Sequence, residues 1–188
     1  MRKFLASFNI LTEKDISDFS RLTTLKKLKK GDYFIEAGNM CNEVAFINKG
    51  LFRSFYLSST GEDVTYCFFW ERNFVTAYTS LITDTKTTES IQALTDIEML
   101  SISKEDILKL QESNINWLKF MKTLAEQEYI GLENRMMLLQ RETAEMRYKH
   151  ILKNHPEYIQ SIPLNYLASY LGITQRHLSR IRKDSFIE

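Results

Sequence analysis

Five hydrogen-bonding side chains near the end of the chain have the spacing of residues on one side of a helix. They are Gln175, Arg176, Ser179, Arg180 and Lys183. A glutamine side chain can form two hydrogen bonds with the edge of adenine, and an arginine can do the same with guanine. A lysine suits a phosphate group, which positions a nucleic acid without specifying its sequence. These residue types at this spacing form a candidate DNA-reading surface.

The flanking residues predict the two short helices that would hold this surface. Apolar residues recur at steps of three and four over residues 164–171, which indicates one buried helical face. Gly172 would end this helix, because glycine readily adopts the left-handed conformation of a sharp helix exit. Thr174 would cap a second helix whose residues Leu178 and Ile181 face inward. Helix, turn and helix in this order are typical of DNA-binding motifs, although an ordinary helical hairpin with a basic face has the same pattern.

Composition and charge limit the class of protein. The chain has 188 residues, of which 44% are hydrophobic and 26% are charged, so it can bury the core of one large domain, or of a main domain with a small one. Its 25 basic and 24 acidic residues give no overall polycationic signal, and the basic surplus is confined to the second of the two short helices. No stretch has the apolar length of a signal peptide or of a membrane span. We therefore expect a cytoplasmic protein without a membrane partner.

The residues that could perform catalysis or bind a metal are few and scattered. Cys41 and Cys67 are isolated, and the histidines at 150, 155 and 177 lack the spacing of metal or haem ligands. No P-loop is present, and no nucleophile, base and orienting group occur at a meaningful spacing. We expect neither an enzyme nor a metal site.

The first half of the chain has the pattern of a β-domain. Glycine-containing turns at Gly31, Gly38, Gly50 and Gly61 follow one another at intervals of about 7 to 12 residues. The segments between and after them are rich in β-branched and aromatic residues, at 33–35, 44–47, 52–57, 64–70, 90–94 and 97–102. This regularity predicts a β-sandwich or barrel, preceded by a helix that Thr12 caps.

A long helix follows the β-domain. After Asn114 the pattern stays helical for almost thirty residues, with a stripe of apolar side chains at steps of three, four or seven. The stripe comprises Leu118, Met121, Leu124, Ala125, Leu132, Met136 and Leu139. It would be covered either by the sheet or by a second copy of the chain, and the helix length favours a homodimer. A further helix should run from Arg141 to His155, where Pro156 ends it.

The order of these parts resembles the cyclic-AMP receptor and fumarate-nitrate regulator family of bacterial transcription factors. The resemblance covers nearly the whole chain and is especially close to a subgroup common in Bacteroidetes. The residues that carry it are Lys30–Gly38, Phe46–Gly50, Ser101–Asp106, Ala168–Thr174 and Leu178–Arg182. It implies an α+β fold with a sensor β-roll of the cyclic-nucleotide-binding type over residues 1–112, a dimerisation helix over 113–140 and a helix-turn-helix domain over 141–188.

The resemblance also places an effector pocket at Phe74, Val75, Thr76, Ala77, Lys86, Thr87 and Thr88. Two features of the family pattern are missing there. Residues 73–81 lack the glycine and glutamate of the phosphate-binding motif, and the position of the phosphate-binding arginine falls on or near Thr87. Lys86 is a point charge without the bidentate fork of arginine. No cofactor is assigned: the resemblance implies a cyclic nucleotide, but we do not expect cyclic AMP to bind in the usual way.

The sequence thus predicts a dimeric transcription regulator that reads a pseudo-palindromic operator. The resemblance makes Arg180 the main base reader, puts Gln175 and Arg176 at the other reading positions and assigns phosphates to Thr174 and Lys183. The chain ends soon after the second helix, so we expect no β-wing. An unknown small-molecule effector and RNA polymerase are further partners that the resemblance suggests. The alternative is a ligand-binding sensor or interaction module with a vestigial helix-turn-helix.

Overall fold

The computed structural model describes residues 1–185, which form two compact units. The first unit contains Met1–Ser54 and Phe68–Gln127. The second contains Phe55–Cys67 together with the described residues from Glu128 onward. The expectation that no β-wing follows α9 concerns residues that lie outside the described ones.

Helices and strands follow one another in the order of an α+β protein. The helices are α1 Arg2–Ala6, α2 Glu13–Leu22, α3 Tyr78–Thr83, α4 Lys104–Ser113, α5 Ile115–Arg141, α6 Ala144–Asn154, α7 Pro156–Ser161, α8 Leu164–Leu171 and α9 Gln175–Ser185. The strands are β1 Thr24–Leu28, β2 Tyr33–Ile35, β3 Glu43–Lys49, β4 Phe52–Leu57, β5 Asp63–Phe69, β6 Phe74–Val75, β7 Ser90–Ala93 and β8 Ile97–Ser103.

The strands form two four-stranded sheets. One has the order β1-β8-β3-β6 and the other the order β2-β7-β4-β5. In the first sheet β8 pairs antiparallel with both β1 and β3. Buried residues from both sheets make one apolar core, with Ala45 and Ile47 from β3, Phe52 from β4 and Ile91 from β7. The predicted β-roll within an α+β fold is confirmed.

A second core lies on the other face of the first sheet. Successive residues of a strand point to opposite faces, so Val44 and Phe46 of β3 face away from Ala45 and Ile47. On that side Phe46 packs against the rings of Phe4 and Phe74, with centroids 5.4 and 5.3 Å away. The helices α1, α2 and α4 and the start of α5 complete this core through Leu5, Ile16, Phe19, Leu110, Trp117 and Phe120.

A buried carboxylate joins the start of α2 to the start of α5. Asp15 accepts hydrogen bonds from the backbone N–H of Thr12 at 2.8 Å and from the side-chain amides of Asn114 at 2.7 Å and Asn116 at 3.2 Å. The Thr12 hydroxyl accepts from the N–H of Asp15, which completes a capping box. Burial raises the pKa of Asp15, but the hydrogen bonds from Thr12, Asn116 and Asn114 outweigh it, and the net pKa is lowered.

Short helices build most of the second unit. The helix α6 packs on α7 and α8, and α8 packs on α9. Tyr148 and Ile151 of α6 are buried, as are Leu167 of α8 and Leu178 of α9. The turn Thr143–Met146 repeats the capping seen at α2, since the Thr143 hydroxyl accepts from the Met146 N–H at 3.3 Å. These caps and buried faces explain why the predicted amphipathic segments form helices.

We expect substitution of Asp15 by asparagine to weaken the first unit in a pH-dependent way. A carboxylate with a lowered pKa stabilises the fold above its unfolded pKa, and this stabilisation is lost as pH falls through its folded pKa. Asp15→Asn should therefore cost about 1 to 2 kcal/mol of unfolding free energy at pH 7 and less near pH 3. Urea denaturation at several pH values measures this difference, with Asp18→Asn on the same helix as the control. A cost that stays constant with pH would contradict the role of the charge.

Candidate nucleic-acid interface and effector fold

The turn between α8 and α9 has the geometry of a sharp helix exit and re-entry. Gly172 adopts φ 68° and ψ 35°, the left-handed conformation predicted for it. The N–H of Gly172 donates to the carbonyl of Ser169 at 2.9 Å, and the N–H of Ile173 donates to that of Ala168 at 3.0 Å. The Thr174 hydroxyl then accepts from the N–H of His177 at 3.2 Å and caps α9. These bonds fix the angle between the two helices.

The two faces of α9 differ in chemistry. Leu178 and Ile181 are 0% and 6% exposed and hold the helix against the rest of the unit. The outer face carries the side chains that the sequence singled out, and all of them are exposed: Thr174, Gln175, Arg176, Ser179, Arg180 and Lys183. The Ser179 hydroxyl donates to the carbonyl of Gln175 at 3.0 Å, so it is partly used within the helix. The structure thus brings the six predicted DNA-binding residues onto one polar surface.

An arginine from the long helix holds the end of α8. The Arg135 Nη2 atom donates to the carbonyl oxygen of Tyr170 at 2.9 Å, and its guanidinium carbon lies 3.6 Å from the centroid of the Tyr170 ring. Burial raises the pKa of Tyr170 above its usual value, although the nearby Arg135 charge opposes this shift. The Tyr158 ring of α7 packs edge-on against Tyr170 at 6.3 Å. The contact between Arg135 and Tyr170 was not predicted, because the only feature of Arg135 visible in the sequence is that it interrupts the apolar stripe of α5.

The long helix leaves an apolar stripe exposed. Leu118, Leu132 and Met136 are 46%, 54% and 53% exposed, and Leu139 is also exposed. Ala125 is half-buried, whereas Met121 and Leu124 pack against the core of the first unit. Ile115 and Tyr129, which the sequence analysis did not include, are 60% and 66% exposed. Residues 115, 118, 125, 129, 132, 136 and 139 fit one heptad pattern, whose remaining position is occupied by Lys122, and this pattern could have identified the stripe from sequence.

Most of the residues predicted to line the effector pocket make contacts inside the protein. Val75 and Ala77 are fully buried in the roll, and the Phe74 ring belongs to the aromatic cluster with Phe46. The Thr76 hydroxyl donates to the carbonyl of Glu43 at 3.0 Å. Lys86 and Thr88 are exposed.

Thr87 stands where the resemblance places an anion-binding arginine. Its hydroxyl accepts from the N–H of Glu89 at 3.1 Å, and its backbone bonds the turn at Gly38 and Asn39 at 2.7 and 2.8 Å. Thr87 is only 7% exposed. Its short side chain stabilises a turn and offers no charge to a phosphate. The predicted β-roll is present, but the bidentate group that holds a phosphate in cyclic-nucleotide pockets is not at this position.

Neither a membrane span nor a metal-binding cluster occurs in the part of the chain that the structure describes. None of its helices combines the length and the apolar character needed to cross a membrane. No three His, Cys, Asp or Glu residues among residues 1–185 are grouped so that they could hold a metal ion.

Comparison with known proteins identifies a domain family that the β-roll resembles. Residues 25–114 match the family model of the cyclic nucleotide-binding domain. This segment therefore resembles that domain family, and the chain as a whole shares its fold with solved structures that include a regulator of the Crp/Fnr family. No curated protein matches the sequence closely enough to count as a relative.

Three solved structures illustrate the shared fold. FixK2 from Bradyrhizobium japonicum is 18% identical with a TM-score of 0.75, over 86% of this chain and 83% of that one. The c-di-GMP-responsive global regulator CLP from Xanthomonas campestris is 14% identical with a TM-score of 0.74, over 94% and 92%. A Crp/Fnr family regulator from Eubacterium rectale is 14% identical with a TM-score of 0.75, over 98% and 88%. At these identities the likeness concerns the fold.

Proposed function

We propose that this protein is a DNA-binding transcriptional regulator of the Crp/Fnr type. The observation that carries the proposal is the surface of α9. Its apolar residues are buried, while Gln175, Arg176 and Arg180 are exposed together after a capped N-terminus. A helix of this kind fits the major groove, where its N-terminal residues meet base edges. The fold of the whole chain agrees with this role.

Each residue of this surface has a distinct part in the proposed complex. Arg180 reads guanine through two hydrogen bonds, and Gln175 and Arg176 read neighbouring bases. Thr174 and Lys183 contact phosphates and set the register of the helix on the duplex. The net charge of the chain is only +1, so base contacts and this local surface must supply the affinity.

The function also requires two copies of the chain. Two recognition helices read the halves of a pseudo-palindrome about 34 Å apart, which demands a two-fold dimer. The exposed stripe of α5 supports this arrangement, because it has the heptad spacing at which two helices pack knobs into holes. Leu132 and Met136 lie in the middle of its most exposed part.

In the proposed regulator, the effector pocket does not hold its ligand in the way that such pockets usually hold cyclic AMP. Thr87 is uncharged and bonded to its own turn, and Lys86 lies exposed beside it. An anionic ring phosphate would find no guanidinium fork at this position. We infer a regulator that works without cyclic AMP and whose effector, if it has one, differs in chemistry.

The base-reading role of Arg180 is tested on an operator selected from genomic fragments. Arg180→Ala should weaken operator binding by about 1 to 3 kcal/mol, because a bidentate contact is lost, and should weaken random-DNA binding much less. Fluorescence anisotropy at two salt concentrations measures both affinities. Lys14→Ala removes one exposed positive charge from α2 and should leave both unchanged. Equal losses of affinity for the operator and for random DNA would contradict the base-reading role of Arg180. If selection at low salt enriches no fragment, the alternative of a ligand-binding sensor is favoured.

The dimer is tested by placing a charge in the stripe. Leu132→Glu should make the protein monomeric, because a buried carboxylate without a partner opposes helix pairing. Sedimentation velocity measures the change. The matched control is Leu152→Glu, which alters a leucine of α6 that is 45% exposed. A wild-type monomer, or a Leu132→Glu variant that still dimerises, would contradict the assignment.

Cyclic AMP independence is tested by calorimetry with the wild-type protein. We expect no saturable heat of binding up to about 1 mM cyclic AMP. This corresponds to a binding free energy no more favourable than about −4 kcal/mol. Operator binding should also be the same with and without it. Cyclic di-GMP, to which the Xanthomonas regulator responds, serves as the comparison ligand. Micromolar binding of cyclic AMP would show that another group holds the phosphate.

A further inference from the structure

The end of α8 needs hydrogen bonds that its own turn does not fully supply. The last carbonyl groups of a helix have no partner within that helix. In α8 the turn satisfies two of them, since its backbone N–H groups donate to the carbonyls of Ala168 and Ser169. The next carbonyl, that of Tyr170, accepts from Arg135 of α5 at 2.9 Å. A residue of the long helix therefore completes the end of the first helix of the helix-turn-helix.

The long helix meets the turn at a second point. A Cβ atom placed on Gly172 would lie 3.7 Å from the Cδ2 atom of Leu139, so this leucine lies directly beside the turn. Arg135 and Leu139 are four residues apart, which puts them on the same side of α5. One stretch of α5 thus holds the helix-turn-helix through a hydrogen bond, a stacked cation and an apolar side chain.

These contacts lie at the edge of the apolar stripe. In the heptad pattern of the stripe, Leu132, Met136 and Leu139 occupy core positions, and Arg135 occupies a flanking position. Flanking side chains of a two-stranded coiled coil often pair with the partner helix. Arg135 instead turns to α8 of its own chain, where its guanidinium carbon lies 3.6 Å from the centroid of the Tyr170 ring. The stripe proposed to join two copies and the contacts that hold the DNA-reading motif therefore share one segment of helix.

A separate contact holds α8 to the hairpin formed by β4 and β5. The Ser169 hydroxyl accepts from the backbone N–H of Thr65 at 2.9 Å and donates to the carbonyl oxygen of Asp63 at 3.3 Å, both on β5. These residues belong to the same compact unit as Arg135 and Tyr170. Because the bonds of Ser169 do not involve α5, loss of Arg135 would loosen α8 from the long helix without unfolding it.

The separation of two half-sites determines where two recognition helices must lie. One base pair more or less between the half-sites moves one of them by about 3.4 Å along the DNA and by about a tenth of a turn around it. A motif held firmly on the dimer helix cannot follow this displacement, whereas a loosely held motif can. The resistance is limited by the contacts that would have to break, here a charge-assisted hydrogen bond and a cation stacked on an aromatic ring.

We propose that Arg135 is a specificity-determining residue that sets the half-site spacing of the operator. This inference rests on the proposed function, including the dimer. Arg135 is a positioning residue: it holds Tyr170, which lies two residues before Gly172, and does not itself contact DNA. The bases are read by α9, and Arg135 determines how far apart the two copies of α9 can read them.

The test compares operators that have the preferred half-site separation with operators that have one base pair more or one fewer. Fluorescence anisotropy gives the spacing ratio, which is the affinity for the preferred operator divided by the affinity for an altered one. Arg135→Met keeps a long side chain of good helix propensity and removes the guanidinium. Arg135→Lys keeps a charge but loses the fork. The matched control is Arg141→Met, which changes an exposed arginine of the same helix.

We expect Arg135→Met to lower the spacing ratio about five- to thirtyfold, which corresponds to the strength of the lost hydrogen bond and stacking. Its affinity for the preferred operator and for a single half-site should change by no more than about threefold, because α9 keeps its reading surface. Arg135→Lys should lower the ratio by a smaller factor, and Arg141→Met should leave it unchanged. Circular dichroism and sedimentation velocity check that each variant folds and dimerises.

The outcomes distinguish the two proposals. A spacing ratio that Arg135→Met leaves unchanged would overturn the role of Arg135 and spare the proposed function, even if the variant bound every operator more weakly. A wild-type protein that binds all spacings equally would have the same meaning. A wild-type protein that binds no DNA, or that is a monomer, would overturn the proposed function, and the spacing inference with it.

Discussion

Burial on both faces of β3 is the constraint on which the rest of the first unit depends. Ala45 and Ile47 pack in the core between the sheets, while Val44 and Phe46 pack in the second core beneath the helices. On the helical side of this sheet, aromatic side chains meet around Phe74 and Phe120, whose ring centroids lie 6.5 Å apart. Trp117 and Phe120 thereby fix the start of α5 on this core, and the other side of the helix is exposed at Ile115 and Leu118.

Most elements could be predicted because their signals are local. Thr12, Ser103, Thr143 and Thr174 cap helices through their own hydroxyls, and Gly172 ends α8 in the left-handed conformation. The strands β6 and β1 escaped prediction because tertiary pairing creates them. The strand β6 has two residues and exists through its pairing with β3, while β1 has an exposed, lysine-containing sequence that only its ladder with β8 makes a strand.

The candidate sites also differ in how much of them the sequence could predict. The polar face of α9 follows from helical periodicity, so the six residues on it could be chosen from sequence. The predicted stripe of α5 includes Met121 and Leu124, which pack toward a core whose position no periodicity reveals. Contacts between distant segments left no sequence signal at all. Arg135 and Tyr170 are 35 positions apart, and Thr65 and Ser169 are 104 apart.

The hydrogen bonds of Ser169 have a consequence for solubility. An edge strand such as β5 offers unpaired backbone groups to any other extended chain, and natural proteins protect such edges against strand addition. Here the protein's own helix occupies the bonding position between Asp63 and Thr65. Movement of α8 away from the hairpin would uncover this edge, so the same contact that holds α8 also protects the sheet against self-association.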